Sequence, residues 1–98
     1  MFLSSDEDYL IIACHHHPEN IGGDLNDLYI TFRRNDGTWT EAINMGNGIN
    51  TPHGENCPQV SPDGNYFFFN RYDPDSETGN MYWVNAKIIE ELKPDESS

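Results

Sequence analysis

Apolar residues along the chain fall in short clusters separated by longer polar stretches. Four of these clusters are Tyr9-Leu10-Ile11-Ile12-Ala13, Leu28-Tyr29-Ile30-Thr31-Phe32, Tyr66-Phe67-Phe68-Phe69 and Met81-Tyr82-Trp83-Val84. Each has the length of a strand and is rich in β-branched or aromatic residues, so each predicts a β-strand. Tyr66-Phe67-Phe68-Phe69 is aromatic on both faces, which predicts a strand covered on both sides. Trp39, Glu41 and Ile43 alternate with Thr40, Ala42 and Asn44, the pattern of a half-exposed outer strand. Asn35-Asp36-Gly37-Thr38, with Asp-Gly at its centre, predicts the hairpin turn leading into it. Met45 to Asn56 is rich in Gly, Asn, Pro and His, shows no periodicity and reads as a loop. Cys57-Pro58-Gln59-Val60 reads as a short entry strand. The period then changes. Ile88, Ile89 and Leu92 sit at i, i+1 and i+4, which predicts a short helix over Ala86–Lys93, with Asn85 as cap and Pro94 as stop. An outer strand is the alternative there.

The clusters are arranged as a repeat. Leu3-Ser4-Ser5-Asp6-Glu7-Asp8-Tyr9 followed by three apolar residues aligns with Val60-Ser61-Pro62-Asp63-Gly64-Asn65-Tyr66 followed by three more, at an offset of 57. Asn26-Asp27-Leu28-Tyr29-Ile30 aligns with Gly79-Asn80-Met81-Tyr82-Trp83 at an offset of 53. Each copy reads as strand, tight turn, strand, polar loop, strand. Ser61-Pro62-Asp63-Gly64 is a structural turn with a physical basis. Pro presets φ, Asp accepts from the backbone ahead of it, and Gly takes a positive φ at little cost.

From Cys57 to Phe69, and again at Asn80-Met81-Tyr82-Trp83-Val84, the chain resembles the WD-like β-propeller repeat of the TolB type. That repeat similarly has an apolar entry strand, Ser-Pro-Asp-Gly, an aromatic strand and an Asp-x-Tyr strand. The likeness runs from about Leu3 to Val84. In the first copy Ser5 and Glu7 replace the Pro and Gly of the turn, and in the second Asn80 stands where the first has Asp27. The resemblance implies a propeller of about six or seven four-stranded blades; with two copies of the repeat, this chain is expected to be all-β, two consecutive antiparallel blades ending in the short helix. Residues 1–50 would form the first blade, lacking a full entry strand, and residues 51–98 the second. The resemblance further implies a periplasmic or secreted protein acting as a scaffold or binding surface. Two blades fall short of the four or more that close a propeller. The chain is therefore expected to be the last part of a longer propeller or a unit that assembles with others, and the brevity of Met1–Leu3 as an entry strand favours the former.

Composition sharpens this. Only 36% of the 98 residues are hydrophobic, a thin core for one small domain. Lys and Arg number 5 against 17 Asp and Glu, for a net charge of −12. That acidity argues against nucleic acid as a partner. No apolar run approaches a membrane span, so no membrane insertion is expected. The N-terminus has no positive region and reads as no signal peptide. Cys14 and Cys57 are too few for a disulfide framework and read as reduced thiols.

The candidate chemistry is sparse. His15 and His17 can face one side of an extended segment and, with Glu19 or Asp24, hold a divalent metal. Asp73, Asp75 and Glu77 place carboxylates at alternate positions, which lets oxygen ligands converge on calcium. This is no EF-hand loop, since Gly79 comes one place late and no Glu follows at the twelfth position. The solvated-loop reading is preferred for both. His53, Glu55 and Cys57 suggest a nucleophile and base, but a strand-entry role is preferred. Tyr66, Phe67, Phe68, Phe69, Tyr82 and Trp83 can stack on sugar rings, although packing between blades is the expectation. Trp39 is the better candidate for an exposed contact. Arg33, Arg34 and Arg71 are expected to pair with carboxylates. No catalytic residue and no cofactor is assigned. The expected function is a non-enzymatic scaffold or binding module for a protein or glycan partner, or for further propeller blades, with a homo-oligomer as one form. The alternatives are a fragment of a carbohydrate-active or peptidase-associated propeller enzyme with its catalytic residues outside this chain, and a calcium-binding module.

Overall fold

The structure, a computed structural model, describes residues 1–15, 18, 20, 21 and 25–93. Strands β1 (Phe2–Leu3), β2 (Tyr9–Cys14), β3 (Asp27–Phe32) and β4 (Ile43–Asn44) form one antiparallel sheet in chain order. Strands β5 (Gly54–Val60), β6 (Tyr66–Asp73) and β7 (Thr78–Asn85) form a second. The helix α1 (Lys87–Leu92) comes last. It lies within the predicted Ala86–Lys93. Asn85 Oδ1 accepts the Lys87 N–H at 2.9 Å, while Ala86 at the N-cap position makes no side-chain cap bond.

The two sheets are laid out on one plan. Ile12 lies opposite Tyr29 across β2 and β3, and Phe69 lies opposite Tyr82 across β6 and β7. The offsets of 57 and 53 therefore carry the first register onto the second. The ends agree as well. The Arg33 N–H donates to Asp8 O at 2.8 Å, and the Ala86 N–H donates to Asn65 O at 2.9 Å.

Residues directly opposite in an antiparallel pair share a face. On the first sheet the inner face carries Phe2, Tyr9, Ile11, Ala13, Leu28, Ile30, Phe32 and Ile43; on the second it carries Val60, Phe67, Phe69 and Val84. These residues, with Met45, Ile49, Ala86, Ile88, Ile89 and Leu92, make the core. The sheets thus pack face to face. Burying a side chain such as Phe67 or Ile30, both 0% exposed, stabilises by roughly 1.5–3 kcal/mol. The connection between the sheets belongs to this core, with Met45 and Ile49 sealed inside it.

The structure corrects several expectations. The outer strand after the hairpin shortens to Ile43–Asn44, with only an isolated bridge between Arg33 and Trp39 before it. The Thr40 side chain explains this. Its Oγ1 accepts the Phe32 N–H at 3.0 Å, a site the ladder would otherwise use, and the Thr31 hydroxyl bonds the Thr40 carbonyl. The segment from Met45 is no polar loop up to Asn56, because β5 begins at Gly54 and pairs Gly54 and Glu55 with Tyr72 and Arg71. A bulge between Asn56 and Gln59 absorbs Cys57 (φ 52°) and the N–H-less Pro58. β6 is covered on one face only. Phe67 and Phe69 are buried, whereas Tyr66 is 42% exposed.

Candidate functional site

The second sheet turns its other face outward. Register places Tyr66, Phe68, Asn70 and Tyr72 of β6 there beside Gly79, Met81, Trp83 and Asn85 of β7. Trp83 is 61% and Met81 67% exposed. Tyr66 and Trp83 meet edge to face, with ring centroids 5.3 Å apart and planes at 87°, a favourable aromatic geometry. None of these residues carries a formal charge, and the β5 residues beside them, Gly54, Asn56 and Gln59, are also uncharged. An exposed uncharged aromatic surface in an acidic chain is the candidate contact surface here. β7 is exposed along nearly its whole length, whereas its counterpart β3 is buried throughout. The difference lies in what packs on each strand: Leu28 and Ile30 of β3 belong to the core between the sheets, whereas Met81 and Trp83 of β7 have no sheet against them among the described residues. After β3 the chain returns as β4 at the sheet edge, and after β7 it becomes α1, held to the core by Ile89.

Of the strand aromatics expected to pack between blades, only some are covered within this chain. Phe67 and Phe69 are buried, Phe68 is half-buried, and Tyr66, Tyr82 and Trp83 are exposed. Tyr82 lies on the inner side, at its periphery, where the Arg71 guanidinium sits 4.5 Å above its ring centre. Sequence reasoning missed Tyr72 and Met81, which alternation extended along β6 and β7 would have found.

The Ser61-Pro62-Asp63-Gly64 turn is built as its residues dictate. The Ser61 hydroxyl donates to Asp63 Oδ1 at 2.5 Å, the Asn65 N–H donates to the same oxygen at 3.0 Å, and the Tyr66 N–H donates to Ser61 Oγ at 3.1 Å. Those bonds hold the Asp63 carboxyl below its usual range, first through Ser61 and then through Asn65. In the other turn Ser4 Oγ accepts from Asp8 and Tyr9.

The remaining candidates are dispersed. Asp73 Oδ1 accepts the Asp75 N–H at 2.9 Å and stands 3.8 Å from His53 Nε2. That backbone bond leads the causes lowering the Asp73 carboxyl. Asp73, Asp75 and Glu77 do not assemble into a metal-holding group, nor do any three His, Cys, Asp or Glu among the described residues. His15 is exposed; His17, Glu19 and Asp24 lie outside the described residues. His53, Glu55 and Cys57 do not act together. Glu55 is fully buried, receiving the Thr51 hydroxyl at 2.8 Å and Arg71 Nε at 3.0 Å, while Cys57 is exposed at the bulge. Of the three arginines, Arg33 reaches Glu7 at 3.8 Å on the surface, Arg34 donates to the Trp39 carbonyl at 2.8 Å, and Arg71 holds Glu55. Trp39 is 37% exposed, as its outer position predicts.

A cleft of about 540 Å³ lies where the two turns approach α1, lined among others by Phe2, Asp8, Tyr9, Pro62, Tyr66 and Glu90. Burial, then the carboxylates of Asp8 and Glu90, push the Tyr9 phenol upward. No helix among the described residues is long and apolar enough to cross a membrane. Comparison with family models, with curated proteins and with solved structures returned no match.

Proposed function

We propose that the chain is a non-enzymatic scaffold, two consecutive blades of a propeller-like stack, that works by presenting the aromatic face of its second sheet to a protein or glycan partner. One observation carries the reading. By the shared register, Tyr66, Phe68, Met81 and Trp83 correspond to Tyr9, Ile11, Leu28 and Ile30, and those four lie in or against the core between the sheets. The same face is used for packing in one sheet and left open in the other.

The sequence has two tryptophans, so a Trp39→Phe variant reports Trp83 alone. Dilute protein should emit as a water-exposed indole, and a blue shift should appear when neutral oligosaccharides or further chain are added and cover the face. Amide exchange should be slow in β3 and fast at the outer edge of β7. An indole already buried in the dilute chain would sink the reading, and so would the absence of any shift across both kinds of addition.

A further inference from the structure

We infer that copies of this chain assemble head to tail, the open face of the second sheet in one copy seating on the outer face of the first sheet in the next. The inference rests on the two-blade reading and names the partner as a second copy. It derives from the faces that already meet inside the molecule. The core joins the inner face of the first sheet to the inner face of the second. In register terms the inner face of the second sheet, Phe67, Phe69, Tyr82 and Val84, corresponds to Leu10, Ile12, Tyr29 and Thr31, which form the outer face of the first. The open face of the second sheet likewise corresponds to the inner face of the first. The open face of the second sheet and the outer face of the first are therefore the same two kinds of surface that pack together in the core. On the first sheet, however, Asp27, Tyr29 and Thr31 are already buried, and the β1–β2 side with Trp39 is what remains to receive a partner. A second copy placed by that relation continues the existing interface.

The surfaces suit the contact. The outer face of the first sheet offers Leu3 (47% exposed), half-buried Leu10 and Ile12, and Trp39 opposite Arg33. Tyr29 at its centre is already sheltered, its hydroxyl donating to Asn20 at 2.6 Å. Asp27 on that face is buried, with its Oδ2 accepting from the Ile21 N–H and the Asn44 amide. Copies with a net charge of −12 repel one another, which favours contact through the uncharged face of the second sheet. On the receiving face the exposed charges, Arg33 and Asp8, lie at the end of the strands beside Trp39. Beyond β7, α1 is committed to the core through Ile89 and does not cover the face. Because the two faces differ, the contact is heterologous, which yields either a closed ring or an open stack.

The test is light scattering on the intact chain and on two blocked variants. Wild type should grow in whole multiples of the monomer mass as concentration or salt rises. Met81→Lys with Trp83→Lys blocks one face, and Leu3→Lys with Trp39→Lys blocks the other. Each variant alone should stay at or near monomer, and mixing them should restore a one-to-one dimer through the faces left intact. Serine replacements at the same positions, with exchange protection of β2, β3 and β6 verified, serve if the lysine variants fail to fold. A wild type that stays monomeric with those strands protected overturns the assembly and leaves the two-blade reading standing. A Leu3/Trp39 variant that still dimerises alone also overturns it, in favour of symmetric pairing of the open faces. Absence of protection in either sheet overturns both.

Discussion

Glu7 and Gly64 hold the same place in two equivalent turns, and both have positive φ, 58° at Glu7 and 77° at Gly64. Each N–H donates to the carbonyl of the serine three residues earlier, at 2.9 Å to Ser4 and 2.8 Å to Ser61. The turn geometry, rather than the residue, thus dictates the backbone. Left-handed backbone costs an L-residue about 1–2 kcal/mol and glycine little.

Replacing Glu7 with Gly should therefore stabilise the chain. The relief of strain exceeds the extra unfolded-state entropy of glycine, leaving a gain of about 0.5–1 kcal/mol. The exposed contact to Arg33, at 3.8 Å, offsets little of it. Gly64→Glu should cost about 1–2 kcal/mol by the same reasoning. Urea unfolding at unchanged slope measures both. A loss for Glu7→Gly would mean that the glutamate side chain holds the turn by contacts stronger than the strain.

Glu55 and Arg71 tie β5 to β6 at the junction between the sheets. The carboxylate is fully buried, and the guanidinium also donates to the Ile49 carbonyl at 2.9 Å. Removing one partner strands the other's charge or polar groups, a loss of about 3–5 kcal/mol for a buried pair. Arg71→Met should approach that figure, and Arg71→Lys should fall short of wild type because an ammonium cannot span both acceptors. The double variant Glu55→Gln with Arg71→Met should be more stable than Arg71→Met alone. Equal stability of single and double variants would refute the coupling.

The local elements were legible in the sequence because each rests on neighbouring residues. The Ser-Pro-Asp-Gly turn, the Asp-Gly hairpin and the Ile88-Ile89-Leu92 helix depend on residues within a few positions of one another. The offsets of 57 and 53 also carried the strand register. The hidden features depend on distant partners. Asn50 reads as a loop residue, yet its side chain pairs with both backbone groups of Leu28, at 2.7 and 2.9 Å, and extends the sheet edge where β4 has ended. Glu55 reads as a companion of His53 and Cys57, yet its partner comes from β6. The exposure of Trp83 was equally hidden, because it depends on what packs against the face: its counterpart Ile30 lies in the core between the sheets, and no sheet among the described residues lies against Trp83.

The turn at Asp63 should respond to acid. Its carboxyl lies below the ordinary aspartate value, held there by the Ser61 hydroxyl and then the Asn65 N–H. A carboxyl depressed in the folded chain contributes stability that is complete above its unfolded value, about 3.9, and is lost as pH falls through the folded value. Asp36 behaves alike through Thr38. Carbon-detected NMR titration should find both midpoints below that of an unstructured aspartate. Asp63→Asn should flatten the acid-side decline attributable to this turn, and a midpoint at or above the unstructured value would contradict the geometry.

The two thiols report on assembly. Cys57 is exposed at the β5 bulge, whereas Cys14 is half-buried on the outer face of the first sheet, opposite Asp27, with its thiol pushed upward by burial. The thiolate is the reactive form, so Cys14 should alkylate more slowly than Cys57 in the dilute chain. Concentrating the protein should slow Cys14 further if a second copy seats on that face, and should leave Cys57 unchanged. Alkylation followed by peptide mass spectrometry at low and high concentration measures both rates in one sample. In the Met81→Lys, Trp83→Lys variant the concentration dependence at Cys14 should vanish, because no copy then offers the face that covers it. A Cys14 rate that ignores concentration in the wild type would show that the outer face of the first sheet stays open.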